Sequence, residues 1–427
     1  MFLGRNRVLT LYALLATVWL SLFQLCRLYT YYDPSSFFYD SQKAYETRYT
    51  DLRVKEADHL LDIIDNASID DKISYTNSLI NDFSTRGQDK RICVGIPSVK
   101  RGKQHFLPRT LASLVKGLDA RERNALRIVV LLADDDPSSH PAFGRRWLHQ
   151  LADEVLLYGN ASSPLVPGAY RYVQPIKLKG DETLSRNDRV HRDYATLMED
   201  CRKTGAVYFA LMEDDVIAAR NWASRLLDGL TYLERTDDTE KWLYLRLFYS
   251  ETYLGWNSEE WLEYLVHSLC FYTIVLCLYL VIVAVDMRRR SNISYFMAHR
   301  HDVLHLTFWA VSFIVLYFLA GRLTVDPYKE GIWEMPNYGC CAQGLVIPKQ
   351  HLPDLENTLR AASNEIAGDS LIEKFADDRG LKKYAIVPSV LQHVGIKGSS
   401  DAQGSKKTTW NFNFERINYW HRDTLSP

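Results

Sequence analysis

Three long apolar runs constrain this chain more than any other feature. Residues 8–26, 262–285 and 303–320 are each almost wholly apolar. Each is about long enough to cross a bilayer as a helix. Arg5 and Arg7 precede the first run, and no small-residue cleavage site follows it. That pattern predicts a signal anchor with a cytoplasmic N-terminus rather than a cleaved signal peptide. Arg288, Arg289, Arg290 and Arg300 lie between the second and third runs. Basic residues favour the cytoplasmic side, so the tip of this apolar hairpin faces inward. The three spans then agree on one topology. Residues 1–7 are cytoplasmic and 8–26 cross the membrane. A luminal stem and lead-in helix occupy 27–90, and the first part of a luminal domain 91–261. Residues 262–285 and 303–321 cross the membrane around a cytoplasmic loop, 286–302, and 322–427 complete the luminal domain. The alternative, a helical pair buried in a soluble core, fits neither the run lengths nor the basic tip.

The remaining composition narrows the class. With 51 Lys and Arg against 52 Asp and Glu, charge nearly cancels, and no nucleic-acid partner is implied. The seven cysteines show no paired CxxC spacing, which argues against a zinc site. Cys93, Cys201, Cys340 and Cys341 lie outside the apolar runs. In an oxidising lumen they allow one or two disulfides whose pairing sequence does not fix. Asn66-Ala67-Ser68 and Asn160-Ala161-Ser162 are sequons suited to a luminal domain. Asn292-Ile293-Ser294 falls on the cytoplasmic tip and should stay unmodified.

Outside the apolar runs, short apolar segments alternate with helical patterns. Strands are predicted over 91–97, 127–133, 154–158, 207–212 and 241–249, and over 384–395, the last ending near a histidine. Helices are predicted over 45–66, 106–118, 147–151, 186–203, 218–233, 355–367 and 370–378, and a turn over 339–348 feeds a short buried strand. The class is α/β with a mostly parallel sheet flanked by helices. No Gly-rich phosphate loop is present, which argues against a P-loop nucleotidase or a classical dinucleotide fold. Arg186, Arg189 and Arg192 fall on or near one helix face able to hold phosphate. Tyr253 to Trp256 follow an aromatic strand and offer a sugar platform, or simply core packing.

The strand at 207–212 runs into Glu213, Asp214 and Asp215. Ligands in α/β sheets gather at the carboxyl ends of strands. Three adjacent carboxylates repel one another unless a cation sits among them. Oxygen ligands suit Mg²⁺ or Mn²⁺, which in turn suit a diphosphate. The plainer reading is an acidic turn that caps the following helix.

Four segments in order resemble the metal-dependent GT-A glycosyltransferases, in particular the N-acetylglucosaminyltransferase IV group. They are Gly95-Ile96-Pro97-Ser98-Val99-Lys100-Arg101, Leu211 through Ile217, Trp242 through Ser250 with Leu254-Gly255, and Pro388 through Gly395. Each is short, and together they span most of residues 91–397. The apolar hairpin between the third and fourth segments departs from that group. A GT-A domain so split is similar to the Golgi transferases that add N-acetylgalactosamine to the first mannose of GPI anchors. The resemblance implies Mn²⁺ (or Mg²⁺), UDP-GalNAc as donor, and GPI-anchored proteins or the GPI glycolipid as acceptor. It makes Asp215 and His393 the metal ligands. Glu213 would face the ribose or a metal-bound water, and Asp214 would lie nearby. Pro97, Ser98, Val99, Lys100 and Arg101 would meet the nucleotide, Asp134, Asp135 and Asp136 the uracil or ribose, and Arg192 a phosphate. Asp369 would be the base of an inverting displacement, with Glu373 as the fallback.

One expectation follows without the family. If Asp215 and His393 share a metal, the two luminal segments close into one domain, and the hairpin pins that domain to the bilayer. Such a geometry suits a membrane-anchored acceptor. The competing readings are a transferase for N-glycans and a non-catalytic sugar-binding membrane protein.

Overall fold

The computed structural model describes residues 2–66, 90–102, 105–159, 170–175, 184–290, 300–335, 341–395 and 409–417. All three sequons and Cys340 fall wholly or partly outside them. The chain divides into two compact units, one of residues 1–46 with 251–328 and one of 47–250 with 329–427.

The larger unit is built on a nine-stranded sheet. In chain order its strands are β1 (Ile92–Ser98), β2 (Leu126–Leu132), β3 (Glu154–Tyr158), β4 (Tyr170–Val173), β5 (Tyr208–Leu211), β7 (Trp242–Arg246), β8 (Gly331–Glu334), β9 (Leu345–Pro348) and β10 (Lys382–Val387). A separate ribbon holds β6 (Val216–Ala218) and β11 (Leu391–His393). The sheet order is β4-β3-β2-β1-β5-β9-β7-β10-β8. β1 pairs in parallel with β2 and β5, while β9 runs antiparallel to both β5 and β7. The sheet is therefore mostly parallel, and it draws strands from both sides of the apolar interruption.

Burial on both faces explains why β1 and β2 read as continuous apolar runs. Their side chains still alternate. Val94, Ile96, Ile128 and Val130 pack with Leu60, Leu111, Trp222 and Leu226 on one face. Cys93, Val129 and Leu131 pack with Leu197, Leu355 and Phe375 on the other. Helices Tyr49–Asn66, Leu107–Val115 and Trp222–Thr236 thus cover the first face, and Arg186–Arg202, Leu352–Ala361 and Gly368–Arg379 the second. A disulfide between Cys93 and Cys201 fastens β1 to the helix Arg186–Arg202. Cys341 is also disulfide-bonded.

The lead-in helix is part of this unit and not a free stem. Arg53 on it is buried, donating from Nε to the Ala218 carbonyl (2.8 Å) and from Nη2 to the Ser113 carbonyl (2.9 Å).

Among the described residues, the smaller unit holds three helices long and apolar enough to cross a membrane, with candidate spans at Tyr12–Tyr29, Ser258–Val285 and Val303–Ala320. They pack together. Trp19 Nε1 donates to the Ser312 carbonyl (3.0 Å), and the Tyr272 and Thr307 hydroxyls lie 3.1 Å apart. Trp256 belongs here as well. Its indole donates to the Phe318 carbonyl (3.1 Å) and its ring packs on Tyr264 and Phe318. At Trp256 the expected aromatic platform is core packing of the apolar unit.

Several local expectations change. The helix expected over 218–233 begins only at Trp222, because Val216–Ala218 pairs with Leu391–His393. The segment 384–395 is two strands, interrupted at Pro388, which has no N–H to donate to a ladder. The helix expected to 367 ends at Ala361.

The Cys93–Cys201 bridge closes a separation of 108 residues. A loop of that length is expected to contribute roughly 2–5 kcal/mol. Replacing both cysteines by serine should lower the melting temperature of the purified chain by several degrees, and non-reducing peptide mapping should find this pair linked in the parent.

Candidate active site

The carboxyl ends of neighbouring parallel strands converge on one sheet edge. β1 delivers Val99, Lys100 and Arg101, β2 delivers Asp134, Asp135 and Asp136, and β5 delivers Glu213 and Asp215. Together they line a cleft of about 920 Å³. The helix Arg186–Arg202 adds Arg186, Arg189, Asp193 and Tyr194 to its wall, and the second segment of the domain adds Gln343, Asp369, His393, Gly395 and Thr409.

Asp215 and His393, far apart in sequence, meet through the small ribbon. His393 pairs with Val216 in the β6–β11 register, and the Val394 N–H donates to the Asp215 carbonyl (2.9 Å). The turn between β5 and β6 is held from below by Thr110, whose Oγ1 lies 2.7 Å and 2.9 Å from the carbonyl oxygens of Asp214 and Val216. His393 Nε2 stands 3.4 Å from Asp215 Oδ2. Its Nδ1 faces Thr409, 2.9 Å from the hydroxyl and 3.2 Å from the carbonyl. The Thr409 carbonyl and hydroxyl hold the ring by Nδ1, so that Nε2 faces the acids. Ligand atoms of Glu213, Asp215 and His393 all lie within 4.8 Å of one another.

Asp214 and Asp215 are buried and Glu213 is partly so, and their charge is only partly met. Arg101 bridges Asp214 and, at 2.6 Å, Asp215. Burial and the charge of Asp215 push the Glu213 carboxyl well above the usual range, and burial does the same to Asp214. Burial works against Asp215 too, yet its bonds to His393 and Arg101 win and hold it low. His393 is raised in spite of burial, by Asp215 first. Two further observations fit a cation. Asp215 Oδ1 is buried with no hydrogen-bond partner among the described residues. A Cβ on Gly395 would lie 2.1 Å from Asp215 Oδ2 and 3.0 Å from His393 Nε2, so only glycine leaves that space open. Two carboxylates and an imidazole form a donor set suited to Mn²⁺.

Other anticipated residues fall into two groups. Pro97, Val99, Lys100, Arg101, Asp134, Asp135, Glu213 and Asp369 line the cleft. The Lys100 N–H donates to Asp134 (3.1 Å), tying the β1 and β2 ends together. Asp369 is the second residue of its helix and accepts from the Ser370 N–H (2.8 Å). Ser98, Asp214, Arg192 and Glu373 are not among the lining residues. Ser98 is buried and donates to Asp214 Oδ2 (2.6 Å), so it orients an acid rather than meeting a ligand. Arg192 is buried over the Tyr158 ring, and its helix turns Arg186 and Arg189 to the cleft instead. Glu373 is taken up by Tyr244 (2.8 Å) and Arg246.

Behind Ser98 sits His140. Its Nδ1 accepts from the Ala142 N–H (3.1 Å), which turns Nε2–H toward Ser98 Oγ, 3.2 Å away. His140, Ser98 and Asp214 thus form a chain that fixes the middle acid. Sequence reading missed this chain, and also Gln343, Gly395 and Thr409 as parts of the site.

With the geometry in place, sequence comparison adds the class. The chain is similar to glycosyltransferases. It is 28% identical over 226 residues to the alpha-1,6-mannosyl-glycoprotein 4-beta-N-acetylglucosaminyltransferase of Gallus gallus, covering 46% of this chain and 47% of that one. It is 29% identical over 140 residues to the alpha-1,3-mannosyl-glycoprotein 4-beta-N-acetylglucosaminyltransferase B of Mus musculus, covering 32% and 25%. It is 27% identical over 158 residues to the C enzyme of Macaca fascicularis, covering 35% and 32%. The chain therefore spans half or less of the length of these relatives. The model of one family matches residues 92–392, more than half of the chain, and the chain belongs to that family, GPI-N-acetylgalactosamine transferase PGAP4.

Two measurements test the site. Gly395→Ala should weaken Mn²⁺ binding by roughly 10–100-fold in calorimetric titration while the fold persists. Burial holds His140 neutral, down to about 4. An unfolded histidine titrates near 6.5, so between about pH 6.5 and 4 the unfolded chain binds more protons and folded stability falls as pH falls. His140→Gln should remove this increment, and the stability gap between parent and variant should narrow from pH 7 to 4.5 in thermal melts.

Proposed function

We propose that this chain is a metal-dependent, inverting GT-A glycosyltransferase that moves GalNAc from UDP-GalNAc to the first mannose of GPI glycans. It would work in the Golgi lumen, as a three-pass membrane protein with a cytoplasmic N-terminus. The observation that carries this reading is the meeting of Glu213, Asp215 and His393 in one cleft, with Asp369 on its wall. Family membership supports the donor and acceptor.

Asp215 and His393 would hold Mn²⁺ (or Mg²⁺), with Glu213 beside them. When bound, the ion supplies Lewis acidity to the donor diphosphate and makes UDP a better leaving group. The chain's own residues do the remainder. Arg186 and Arg189 bring positive charge to the same cleft for the phosphates. Lys100 and Asp134, joined at the β1 and β2 ends, bind the nucleoside. Asp369 takes the proton from the acceptor hydroxyl as its oxygen attacks the anomeric carbon. Glu373 is engaged by Arg246 and Tyr244 and is the weaker candidate for base. A single displacement inverts the anomeric centre.

The apolar unit suits an acceptor carried by the lipid bilayer, since the chain crosses between the two units at three points of its sequence. A second reading has its own support. The curated relatives are named for mannosyl-glycoproteins, so an N-glycan acceptor is the direct competitor.

The test is a donor and acceptor screen. Protein in nanodiscs with Mn²⁺ is given UDP-GalNAc, UDP-Gal or UDP-GlcNAc, against a synthetic mannosylated GPI core or a mannosyl N-glycan. Transfer of GalNAc to the GPI core, with inverted configuration by NMR, is the expected result. Asp215→Ala should abolish it. Asp369→Asn should lower kcat by roughly 10²–10⁴-fold and leave UDP affinity unchanged. Transfer to the N-glycan alone would establish the second reading.

A further inference from the structure

We infer that the side-chain amide of Gln343 grips the transferred sugar of the donor. This inference rests on the reading of the cleft as a UDP-sugar site.

Gln343 is only 7% exposed, yet it lines the cleft beside Glu213 and Asp215. Its Nε2 donates to Glu213 Oε2 (3.0 Å), which fixes which end of the amide is which. Its Oε1 is then a buried acceptor with no hydrogen-bond partner among the described residues. The backbone around it is fixed. The Cys341 carbonyl accepts from Arg246 Nη1 (2.7 Å), and the Gly344 carbonyl from the Leu247 N–H (2.8 Å). A Cβ on Gly344 would come within 2.6 Å of Leu391 Cδ1 and 3.0 Å of Leu247 Cβ, so the backbone there packs closely against both. A buried acceptor held this firmly destabilises the chain unless something donates to it.

The adjoining cleft residues Glu213 and Asp215 are carboxylates, which accept when ionised. None of the described residues donates to Gln343 Oε1, and a ligand in the cleft can supply that donor. A diphosphate has none to offer at neutral pH. The sugar has hydroxyls and, in an N-acetyl sugar, an amide N–H.

Sheet order separates the sugar from the ribose. Leu211 at the end of β5 pairs with Leu345 at the start of antiparallel β9, so Gln343 reaches the same sheet edge as the acids. Asp134 follows β2, on the other side of β1 and β5. Three interstrand spacings lie between them, roughly 14 Å at about 4.8 Å each. With the nucleoside at the β2 end and the diphosphate at the acids, Gln343 stands at the sugar end.

The experiment is calorimetric titration of the full chain in nanodiscs with Mn²⁺, using UDP, UDP-Gal and UDP-GalNAc as probes. Gln343→Ala is compared with the parent, and Gln343→Met, of similar length, serves if alanine disturbs folding. We expect UDP affinity to hold while UDP-sugar affinity falls roughly five- to tenfold. A fall for UDP-GalNAc alone identifies the acetamido N–H as the donor, and a fall for both sugars a hydroxyl. Equal losses for all three probes, which would report only a loosened Glu213, overturn the inference, as does no change. A parent protein that binds UDP and UDP-sugars equally well also overturns it but keeps the nucleotide reading. A parent that binds none of them overturns the nucleotide reading itself.

Discussion

The cleft depends on holding three consecutive carboxylates together with two of them, Asp214 and Asp215, out of water. Such a triplet is unstable alone, because burial and mutual repulsion both oppose ionisation. The fold meets this cost with groups from widely separated parts of the chain. Arg101 arrives from the end of β1, Ser98 with His140 behind it steadies Asp214, and His393 comes in on β11 with Thr409 behind it. None of these contacts exists until the sheet has formed. The site is therefore a product of the whole larger unit, and the positive charge still owed to Asp215 is what a divalent ion would supply.

Dependence on distant segments explains the small ribbon. Three residues of β6 follow directly on the acids, and three of β11 end in His393. Antiparallel pairing fixes their register, so the His393 position follows from the Val216 position. A ribbon this short has little stability of its own. It is held because Val216 and Leu391 join the core and because the Thr110 hydroxyl meets the turn from helix Leu107–Val115. The same helix packs against the lead-in helix, which makes residues far before β1 part of the support of the site.

Much of this was legible in the sequence, for physical reasons that also mark where legibility ends. β1, β2, β3 and β5 are buried on both faces and so stand out as apolar runs. β4 and β8 lie at the two edges of the sheet, are short and half-exposed, and carry no such signal. The acids and His393 announced themselves through strand-end position. Arg192 misled because three residues advance a helix by 300°, about 60° short of a full turn, so Arg186, Arg189 and Arg192 fan out over roughly 120° and the last turns inward. Glu373 sits one turn after Asp369, yet Arg246 at the end of β7 claims it, and no spacing rule shows that ion pair. Gln343 had no signature at all: a glutamine in a turn becomes a candidate only once its oxygen is seen buried and unmatched among the described residues.

The interruption by an apolar unit is compatible with an intact site because of where the chain leaves the sheet. β7 runs parallel to β10, and β8 runs antiparallel to it, with Gly331 opposite Val387. The end of β7 and the start of β8 therefore lie on one sheet edge, with only β10 between them. A chain that departs and returns at nearly the same place leaves the strand order between them undisturbed. β9 pairs antiparallel to β5 and to β7, so that edge is also the one to which β5 delivers its acids. An insertion at the opposite edge would have had to pass around the sheet to reach β8. Departure at the end of β7 keeps every catalytic candidate, Glu213, Asp215, Asp369 and His393, within the larger unit.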